Sequence, residues 1–523
     1  MTRHSVQATL DRTAPDNTGK GAFFRRFVRD MQNWQRLQHS RKSELQAIRD
    51  EQLHRFVNEH LYPFSAHYRK LFQKNKLDPK KLRRVSDMRH VPFSSKESLL
   101  ATPEEPQKSL DFVLKPDPGL IRKYWPTSKK LKLALDRILH GEKYIQDKLG
   151  LEYRPIFLTA TTGRTYQPVS FLYSNHDIMN LREAGARLLD IFSVKAGARM
   201  VSLFPYAPHL AFWAVVFGAM EAGVLAVSTG GGKVMGTAGN IGFMQRLKPE
   251  VIAGIPGYMY HLLRTAQTQG TDLSSVKLLA LGAEKVPPGL KERMYELMTS
   301  MGAKDPQIFG TYGFTESKMA WGECPAKLGV SSGYHTYPDL EVFEIVNPET
   351  GEQVGEGEPG EIVYSSIDGR GSVVFRYRTG DLARGGMTWE PCPYCRRTIP
   401  RISSDISRVS NVRSMQFSKI KGTLVNLNNL QFLLSDMKEV EEWQVEIRKK
   451  DDDPLEMDLL VLYLAVKEGV DTVAFEDRLR KAIVNDIEVS PNEIRFCSLP
   501  EILQRLGMET ELKEKRIVDA RPK

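Results

Sequence analysis

The chain has 523 residues, of which 41% are hydrophobic and 26% are charged, a composition typical of globular proteins. Its four cysteines are too few for a disulfide scaffold in a chain of this length, so we expect them to be reduced thiols. Because no apolar stretch reaches the roughly 18 residues of a membrane span and the first residues lack an apolar signal core, we expect a cytoplasmic protein.

The formal net charge of +10 is concentrated in the first part of the chain. Residues 1–150 contain 31 Lys and Arg against 17 Asp and Glu. A basic region can attract nucleic acid, a membrane surface or an anionic cofactor. No nucleic-acid-binding motif accompanies the charge, so we interpret it as the solvated exterior of helices and do not expect a nucleic-acid partner.

The predicted elements begin after a polar terminal segment. Residues 1–43 are predicted to be an N-terminal extension, disordered in part. Apolar residues at three- and four-residue spacing predict helices as far as Phe72. Residues 102–130 are rich in Pro and Lys and are predicted as loops, within an insertion near 102–150.

Alternating strands and helices follow from about residue 156. Short apolar runs that end in Gly, Ser or Thr predict parallel strands, and helical segments lie between them. The runs are PIFLTA, ARMVSLF, GVLAVST, PEVIAGI, VKLLALG and PQIFGTYG. Residues 340–380 alternate apolar and polar and predict antiparallel strands, and a small α+β segment ends the chain. The fold class is therefore α/β, with a β-rich subdomain, and ligands are expected at the carboxyl ends of the parallel strands.

Four short stretches could carry chemistry: TATTGRT at 159–165, GTYGFTES at 310–317, YRTGDLA at 377–383 and LKEKRIVD at 512–519. Thr315 and Glu316 follow a strand, and a hydroxyl and a carboxylate suit a phosphate oxygen and Mg²⁺. Asp381 suits a ribose, or it caps the next segment. Taken singly, each stretch is weak evidence, and for GTYGFTES alone a solvated loop is the favoured interpretation.

Taken in order, the four stretches resemble the phenylacetate–CoA ligase family of the adenylate-forming (acyl-CoA synthetase) superfamily. The resemblance implies a large AMP-binding adenylation domain over 44–411 and a small C-terminal lid domain over 412–523. It also implies that ATP, Mg²⁺ and CoA are used. A small-molecule carboxylic acid would become acyl-AMP and then a thioester, and the alternatives are a non-CoA acceptor or a degenerate nucleotide-binding scaffold without turnover.

The resemblance also implies roles for individual residues. Lys513 matches the catalytic lysine of the first half-reaction, with Lys515 as the alternative if the register slips, and Glu316 matches the Mg²⁺ ligand beside Thr315. The remaining nucleotide-binding matches are Thr161, Thr162, Gly163 and Arg164 for phosphate, Gly282, Ala283, Glu284 and Tyr312 for the adenine, and Asp381 and Arg413 for the ribose.

The phosphate loop departs from the family pattern. Arg164 replaces a lysine, and Ala160 stands where a glycine would free the backbone to close on phosphate. If this protein forms acyl-AMP at a different rate from the resembled family, we expect the phosphate loop to be the cause. The resemblance places the hinge between the two domains at 412–422. This segment departs from the family pattern as well, since Met415 and Gln416 replace two acidic residues.

A C-x-x-C pair, Cys392 and Cys395, predicts a metal site or a redox pair. A redox pair would lie at the start of a helix, and Pro400 argues against a helix there. Cys324 and His335 supply two more ligands for a structural zinc ion. The resembled family has a similar layout. Ordinary packed cysteines are the alternative.

The acyl pocket is expected within FPYAPHLAFWAVVFGA at 204–219. Tyr206, His209 and Trp213 are candidate lining residues for an aryl or fatty acid, although a core helix would have the same composition. A homodimer is compatible with the sequence.

Overall fold

The computed structural model of the protein describes residues 32–102, 105–161, 169–408, 419–420, 423–424, 430, 433–434, 436–450, 458–487, 491–511 and 514–521. It confirms the α/β fold class, with a large N-terminal domain and a small C-terminal domain. The α-helices of at least seven described residues are α1 (Lys42–Phe56), α2 (Ala66–Lys74), α3 (Pro118–Tyr124), α4 (Thr127–Tyr153), α5 (Asn175–Ile191), α6 (Leu210–Ala222), α7 (Gly232–Leu247), α8 (Pro256–Thr268), α9 (Pro288–Ser300), α10 (Thr472–Ile487) and α11 (Leu499–Leu506).

The strands form five sheets among the described residues. They are β1 (Phe157–Ala160), β2 (Ser170–Tyr173), β3 (Arg199–Ser202), β4 (Leu225–Ser228), β5 (Val251–Gly254), β6 (Leu278–Leu281), β7 (Gln307–Phe314), β8 (Met319–Gly322), β9 (Tyr334–His335), β10 (Glu341–Val346), β11 (Gly360–Ser366), β12 (Tyr377–Ala383), β13 (Met387–Thr388), β14 (Arg401–Ile402), β15 (Ile406–Arg408), β16 (Lys419–Ile420), β17 (Thr423–Leu424), β18 (Val440–Lys449), β19 (Asp458–Val466), β20 (Glu493–Phe496) and β21 (Ile517–Asp519).

The largest sheet has nine strands in the order β13-β14-β9-β8-β7-β6-β5-β3-β4. Strands β4, β3, β5, β6 and β7 are parallel, as their apolar runs predicted. Every residue of β5 and β6 is buried, because helices cover both faces. Successive side chains alternate between the two cores: Met200 packs with α5 and α6, whereas Val201 packs with α8 and α9.

One predicted member of the parallel sheet lies elsewhere. The run PIFLTA forms β1, which pairs antiparallel with β2 in a separate two-stranded sheet. A short apolar run does not reveal which partner a strand takes, so the prediction that it joins the main sheet was wrong. The residues between these two strands include the candidate phosphate loop.

Two four-stranded sheets and the antiparallel pair β16–β17 complete the set of five. Strands β10, β11, β12 and β15 form the antiparallel sheet predicted around 340–380. In the C-terminal domain, β20-β19-β18-β21 form a mixed sheet with α10 packed on one face and α11 on the other.

The basic first part of the chain is mostly helical. Trp34 and Leu37 are buried in the core of the large domain, and the indole Nε1 of Trp34 donates to Asp190 at 2.9 Å. Residues 102–130, predicted as loops, include α3 and the start of α4, because the prolines there precede helices instead of interrupting them. In the described part of the chain, no helix combines the length and apolarity required to cross a bilayer.

Candidate active site

A cleft opens at the carboxyl ends of the parallel strands, where the chain order of the sheet reverses. The chain leaves β3 for the edge strand β4 and returns on the other side of β3 as β5. Open α/β sheets bind ligands outside the strands at such switch points. This switch-point cleft is lined by Leu203, Pro205, Gly230, Gly231, Gly232, Lys233, Ile255 and Tyr258 of the large domain and by Met508, Glu511 and Glu514 of the C-terminal domain.

Two of the predicted nucleotide residues meet at the end of β7. The hydroxyl of Tyr312 donates to a carboxylate oxygen of Asp381 at 2.8 Å, which joins the main sheet to β12. Asp381 is buried, whereas Tyr312 is partly buried. A carboxylate fixed in this way keeps oxygen lone pairs for further donors, as a ribose-binding residue requires.

Glu316 is positioned by a residue that sequence reasoning missed. Thr315 and Glu316 form a short 3₁₀ turn directly after β7. The hydroxyl of Tyr377 donates to Glu316 at 2.9 Å. Tyr377 opens the YRTGD stretch, in which only the aspartate drew attention. Tyr377 lies four residues before Asp381 on the same strand, β12. This spacing is the sequence signal that could have identified Tyr377 as a site residue.

The segment predicted to face the adenine follows β6. The backbone N–H of Gly282 donates to Gly254 at 3.1 Å. A Cβ at Gly282 would lie 2.4 Å from the Thr311 hydroxyl, so the close approach requires glycine. Ala283 has φ 70°, a left-handed conformation uncommon outside glycine. Glu284 lines a second hollow that continues from the cleft towards the C-terminal domain.

The phosphate-loop prediction falls largely outside the described residues, which include Thr161 but not Thr162, Gly163 or Arg164. Thr161 and Val169 close the loop at its base. The N–H of Thr161 donates to the carbonyl of Val169, and the N–H of Val169 donates to the Thr161 hydroxyl, both at 3.1 Å. The two described residues that flank the segment are therefore held to each other.

The three candidate pocket residues lie in different surroundings. The hydroxyl of Tyr206 donates to the carbonyl of Ser228, and its ring packs against Gly230 at the cleft. His209 precedes α6, with its Nδ1 at 3.0 Å from the carbonyl oxygen of Ala160. Trp213 packs against an aromatic cluster of Phe157, Phe212 and Phe217. Its indole Nε1 is buried and has no hydrogen-bond partner among the described residues.

Glu514 of the C-terminal domain reaches the switch-point cleft. Its carboxylate packs against Gly257, at the start of α8, so closely that a Cβ there would lie 1.9 Å from it. Burial raises the pKa of Glu514, while the neighbouring Arg516, which donates to it at 2.5 Å, acts in the opposite direction. This contact between segments 257 residues apart carries no signal in the sequence.

The lysines on either side of Glu514 are the candidates for catalysis. Lys513 lies outside the described residues, as does Arg413. Lys515, the alternative, is exposed, and its Nζ pairs with Glu511 at 2.7 Å. Further contacts dock the two domains: Thr237 donates to Glu509 at 2.6 Å, and Arg264 pairs with Glu441 at 2.8 Å.

The four candidate zinc ligands converge on one point at the edge of the nine-stranded sheet. The ligand atoms of Cys324, His335, Cys392 and Cys395 lie within 4.8 Å of one another. The Sγ atoms of Cys324 and Cys392 are 3.6 Å apart, and Cys395 Sγ is 3.3 Å from His335 Nε2. The Nδ1 atom of His335 lies 3.4 Å from the carbonyl of Gly322, which leaves Nε2 directed at the thiols.

Comparison with known proteins fits this fold and cleft. A sequence model described as AMP-binding enzyme matches residues 167–371. A phenylacetate-coenzyme A ligase of Aromatoleum evansii is 24% identical over 500 residues, covering 93% of this chain and 97% of its own. The enzyme of the same name from Thermus thermophilus is 24% identical over 411 residues, covering 78% and 79%.

Solved structures agree on the fold. The crystal structure of 2-hydroxyisobutyryl-CoA ligase in the postadenylation state, in complex with 2-HIB-AMP, superimposes with a TM-score of 0.70 at 18% identity, covering 93% of this chain and 92% of that one. The fold and the comparisons define an adenylate-forming enzyme. Within that superfamily, the chain is similar over most of its length to phenylacetate-coenzyme A ligases, at 24% identity.

Proposed function

We propose that the protein is an ATP-dependent acid–thiol ligase that converts an aryl or fatty acid to acyl-AMP and then to its CoA thioester. The observation that carries the proposal is the Tyr312–Asp381 hydrogen bond, which joins two candidate nucleotide residues near the end of β7. The position of these candidate residues supports the proposal, because an α/β sheet binds ligands at the carboxyl ends of its strands. The printed names of its relatives as phenylacetate-coenzyme A ligases support the same chemistry.

The first step joins two anions. An oxygen of the substrate carboxylate attacks the α-phosphorus of ATP, a new O–P bond forms, and the bond to pyrophosphate breaks. Positive charge is needed where negative charge develops, and Lys513 and Arg164 are the residues proposed to supply it. Asp381 and Arg413 would hold the ribose, while Gly282, Ala283 and Glu284 would border the adenine beside Tyr312.

The second step releases AMP. The sulfur of CoA attacks the acyl carbon, the C–O bond to AMP breaks, and the thiol proton passes to solvent. Tyr206, His209 and Trp213 are proposed to border the acid, because they connect the cleft with the base of the phosphate loop. The aromatic cluster around Trp213 favours an acid with a large apolar body.

Thr315 and Glu316 offer the hydroxyl and carboxylate oxygens that Mg²⁺ prefers, and they fit such an ion at the end of β7. A magnesium ion bound there would offset the charge of the phosphates. Thr161, Thr162 and Gly163 would contribute hydroxyl and backbone groups to the same phosphates. The cytoplasmic location and the homodimer stay predictions.

A structural zinc ion is proposed at Cys324, His335, Cys392 and Cys395. Tetrahedral ligands 2.0–2.3 Å from zinc lie about 3.5–3.8 Å apart, and the two closest contacts between ligand atoms measured above are near these values. Four protein ligands leave no open position, so the ion would stabilise the sheet edge and take no part in the reaction.

The exchange of labelled pyrophosphate into ATP, with Mg²⁺ and a panel of aryl and fatty acids, tests the proposed function. We expect exchange that depends on the acid. Asp381→Ala should raise the KM for ATP about tenfold to a hundredfold, because hydrogen bonds to a charged group contribute about 1.5–3 kcal/mol. Asp272→Ala, which removes an exposed carboxylate bonded only to its local turn, is the control.

No exchange with any acid would count against a ligase and favour the nucleotide-binding scaffold. Exchange without a CoA thioester would point to another acceptor. An unchanged KM for ATP in Asp381→Ala would refute the ribose assignment alone.

The contact between Gly257 and Glu514 gives a second expectation. Gly257→Ala should slow pyrophosphate exchange about fivefold to a hundredfold, because overpacking by one methyl costs about 1–3 kcal/mol and would disfavour docking of the C-terminal domain. Gly242→Ala, whose Cβ would meet nothing within 4 Å, should leave the rate unchanged. The melting temperature of each variant checks folding.

A double-mutant cycle makes this test specific. In a Glu514→Ala background the methyl group added at residue 257 has room. Gly257→Ala should then have little effect on pyrophosphate exchange. Equal effects of Gly257→Ala in both backgrounds would show that the two residues do not act through each other.

A further inference from the structure

Helix α4 is a hairpin of two limbs, residues 127–140 and residues 142–153. Gly141 has φ 86° and ψ 171°, which breaks the helix between them. Asp136 and Lys148 form an ion pair at 2.7 Å. Twelve residues of continuous helix would separate them by about 18 Å, so the second limb folds back on the first.

The second limb and one face of the first are attached to the body of the protein. Ile145 and Tyr153 are buried, and the Tyr153 hydroxyl lies 2.6 Å from His60 Nδ1. On the first limb, Leu133 packs against the main core, and Lys129 pairs with Glu59. These contacts fix which side of the first limb faces the protein.

The opposite side of the first limb is apolar and exposed. Leu131, Leu135, Ile138 and Leu139 are 65%, 54%, 81% and 64% exposed. At 100° per residue they occupy an arc of about 100°, on the side away from Leu133. Large apolar side chains clustered on one exposed face mark an interaction surface. We call these four residues the outer stripe.

The limb that carries the outer stripe is basic. Lys132 lies at one edge of the stripe by the same helical geometry. Residues 127–144 contain five Lys and Arg against two acidic residues, Asp136 and Glu142, which pair with Lys148 and Arg137. An exposed apolar stripe on a segment of net positive charge matches an anionic lipid surface, where the stripe enters the headgroup region and Lys132 meets phosphate.

We propose that the first limb of this hairpin binds the surface of membranes that contain anionic lipid. Residues 1–31, which lie outside the described structure, are a poorer occupant of the outer stripe. They carry six Lys and Arg against three Asp, so their charge has the same sign as that of the limb. The proposal concerns surface attachment and is independent of the ligase reaction.

Flotation of the full-length protein with phosphatidylcholine vesicles, with and without phosphatidylserine, tests the proposal. We expect binding at least about tenfold stronger when phosphatidylserine is present, and weaker binding as salt is raised. The double variant Leu135→Gln, Ile138→Gln should lose about tenfold or more of this binding. Val473→Gln, which changes a 74% exposed residue on α10, should bind as the wild type does.

Charge reversal separates the electrostatic contribution. Lys132→Glu should weaken binding to the anionic vesicles at least about fivefold, the effect of about one cation near the surface. Lys481→Glu on α10 is the matched control. Because all of these side chains are exposed, circular dichroism and melting temperature should not change.

Two outcomes would overturn the proposal. The first is equal binding, or none, with and without phosphatidylserine. The second is a dimer that the Leu135→Gln, Ile138→Gln variant dissociates and that binds no vesicles, which would identify a second copy of the chain as the occupant of the outer stripe.

Discussion

Replacing Lys513 with alanine is expected to reduce carboxylate-dependent pyrophosphate exchange by about 10²–10³-fold, the usual effect of removing one group that stabilises transition-state charge. Lys513 is outside the described residues, but the next residue, Glu514, lines the cleft. The same variant should still form thioester from preformed acyl-AMP and CoA, because that step involves no attack on phosphorus. Comparing the two half-reactions is the measurement.

Lys515→Ala is the matched control for this expectation. Lys515 is two residues away and has the same charge, but it pairs on the surface with Glu511. Normal exchange by Lys513→Ala together with loss in Lys515→Ala would shift the assignment by two residues. Normal exchange by both variants would remove the C-terminal lysines from the reaction.

Loss of the proposed zinc ion is expected to have the largest effect on stability. The double variant Cys392→Ser, Cys395→Ser should contain no zinc and should melt about 5–10 °C below the wild type, because the ion joins the segments that follow β8 and β13 to β9. Zinc content by elemental analysis and thermal melting with and without a chelator are the measurements.

Cys497→Ser is the control, because this cysteine lies outside the cluster. It should keep the zinc content and melting temperature of the wild type. Wild-type protein that is free of zinc as purified, takes up none on addition and melts at the same temperature as the double cysteine variant would contradict the proposal.

The central strands of the nine-stranded sheet could be predicted because a short, continuous apolar run indicates a strand buried on both faces. Strands such as β5 and β6 are fully buried and apolar throughout, and each is followed by a turn and a helix. The sheet to which a strand belongs is set by distant partners, so β1 was misplaced. The outer stripe was hidden for a related reason: helical periodicity reveals an apolar face but does not tell whether that face is covered.

The candidate site divides in the same way. Asp381, Tyr312 and the four zinc ligands could be named because each lies in a short motif and the motifs occur in a known order. The partner of Glu316 was missed although it lies inside such a motif, since a tyrosine before an aspartate has many structural roles. The packing of Glu514 on Gly257 depends on how two domains dock, and no local pattern encodes that.

Thr161 and Val169, which flank the candidate phosphate loop, are hydrogen-bonded to each other, so the sequence between them can change independently of the fold. Reciprocal hydrogen bonds hold the two ends of the loop, and the strands beyond them pair in regular register. A loop anchored in this way can exchange residues or change length at little cost to folding. Substitutions at 162–168 are therefore expected to leave the fold unchanged, and a glycine-rich sequence grafted there would test the proposed phosphate contacts without redesign of the scaffold.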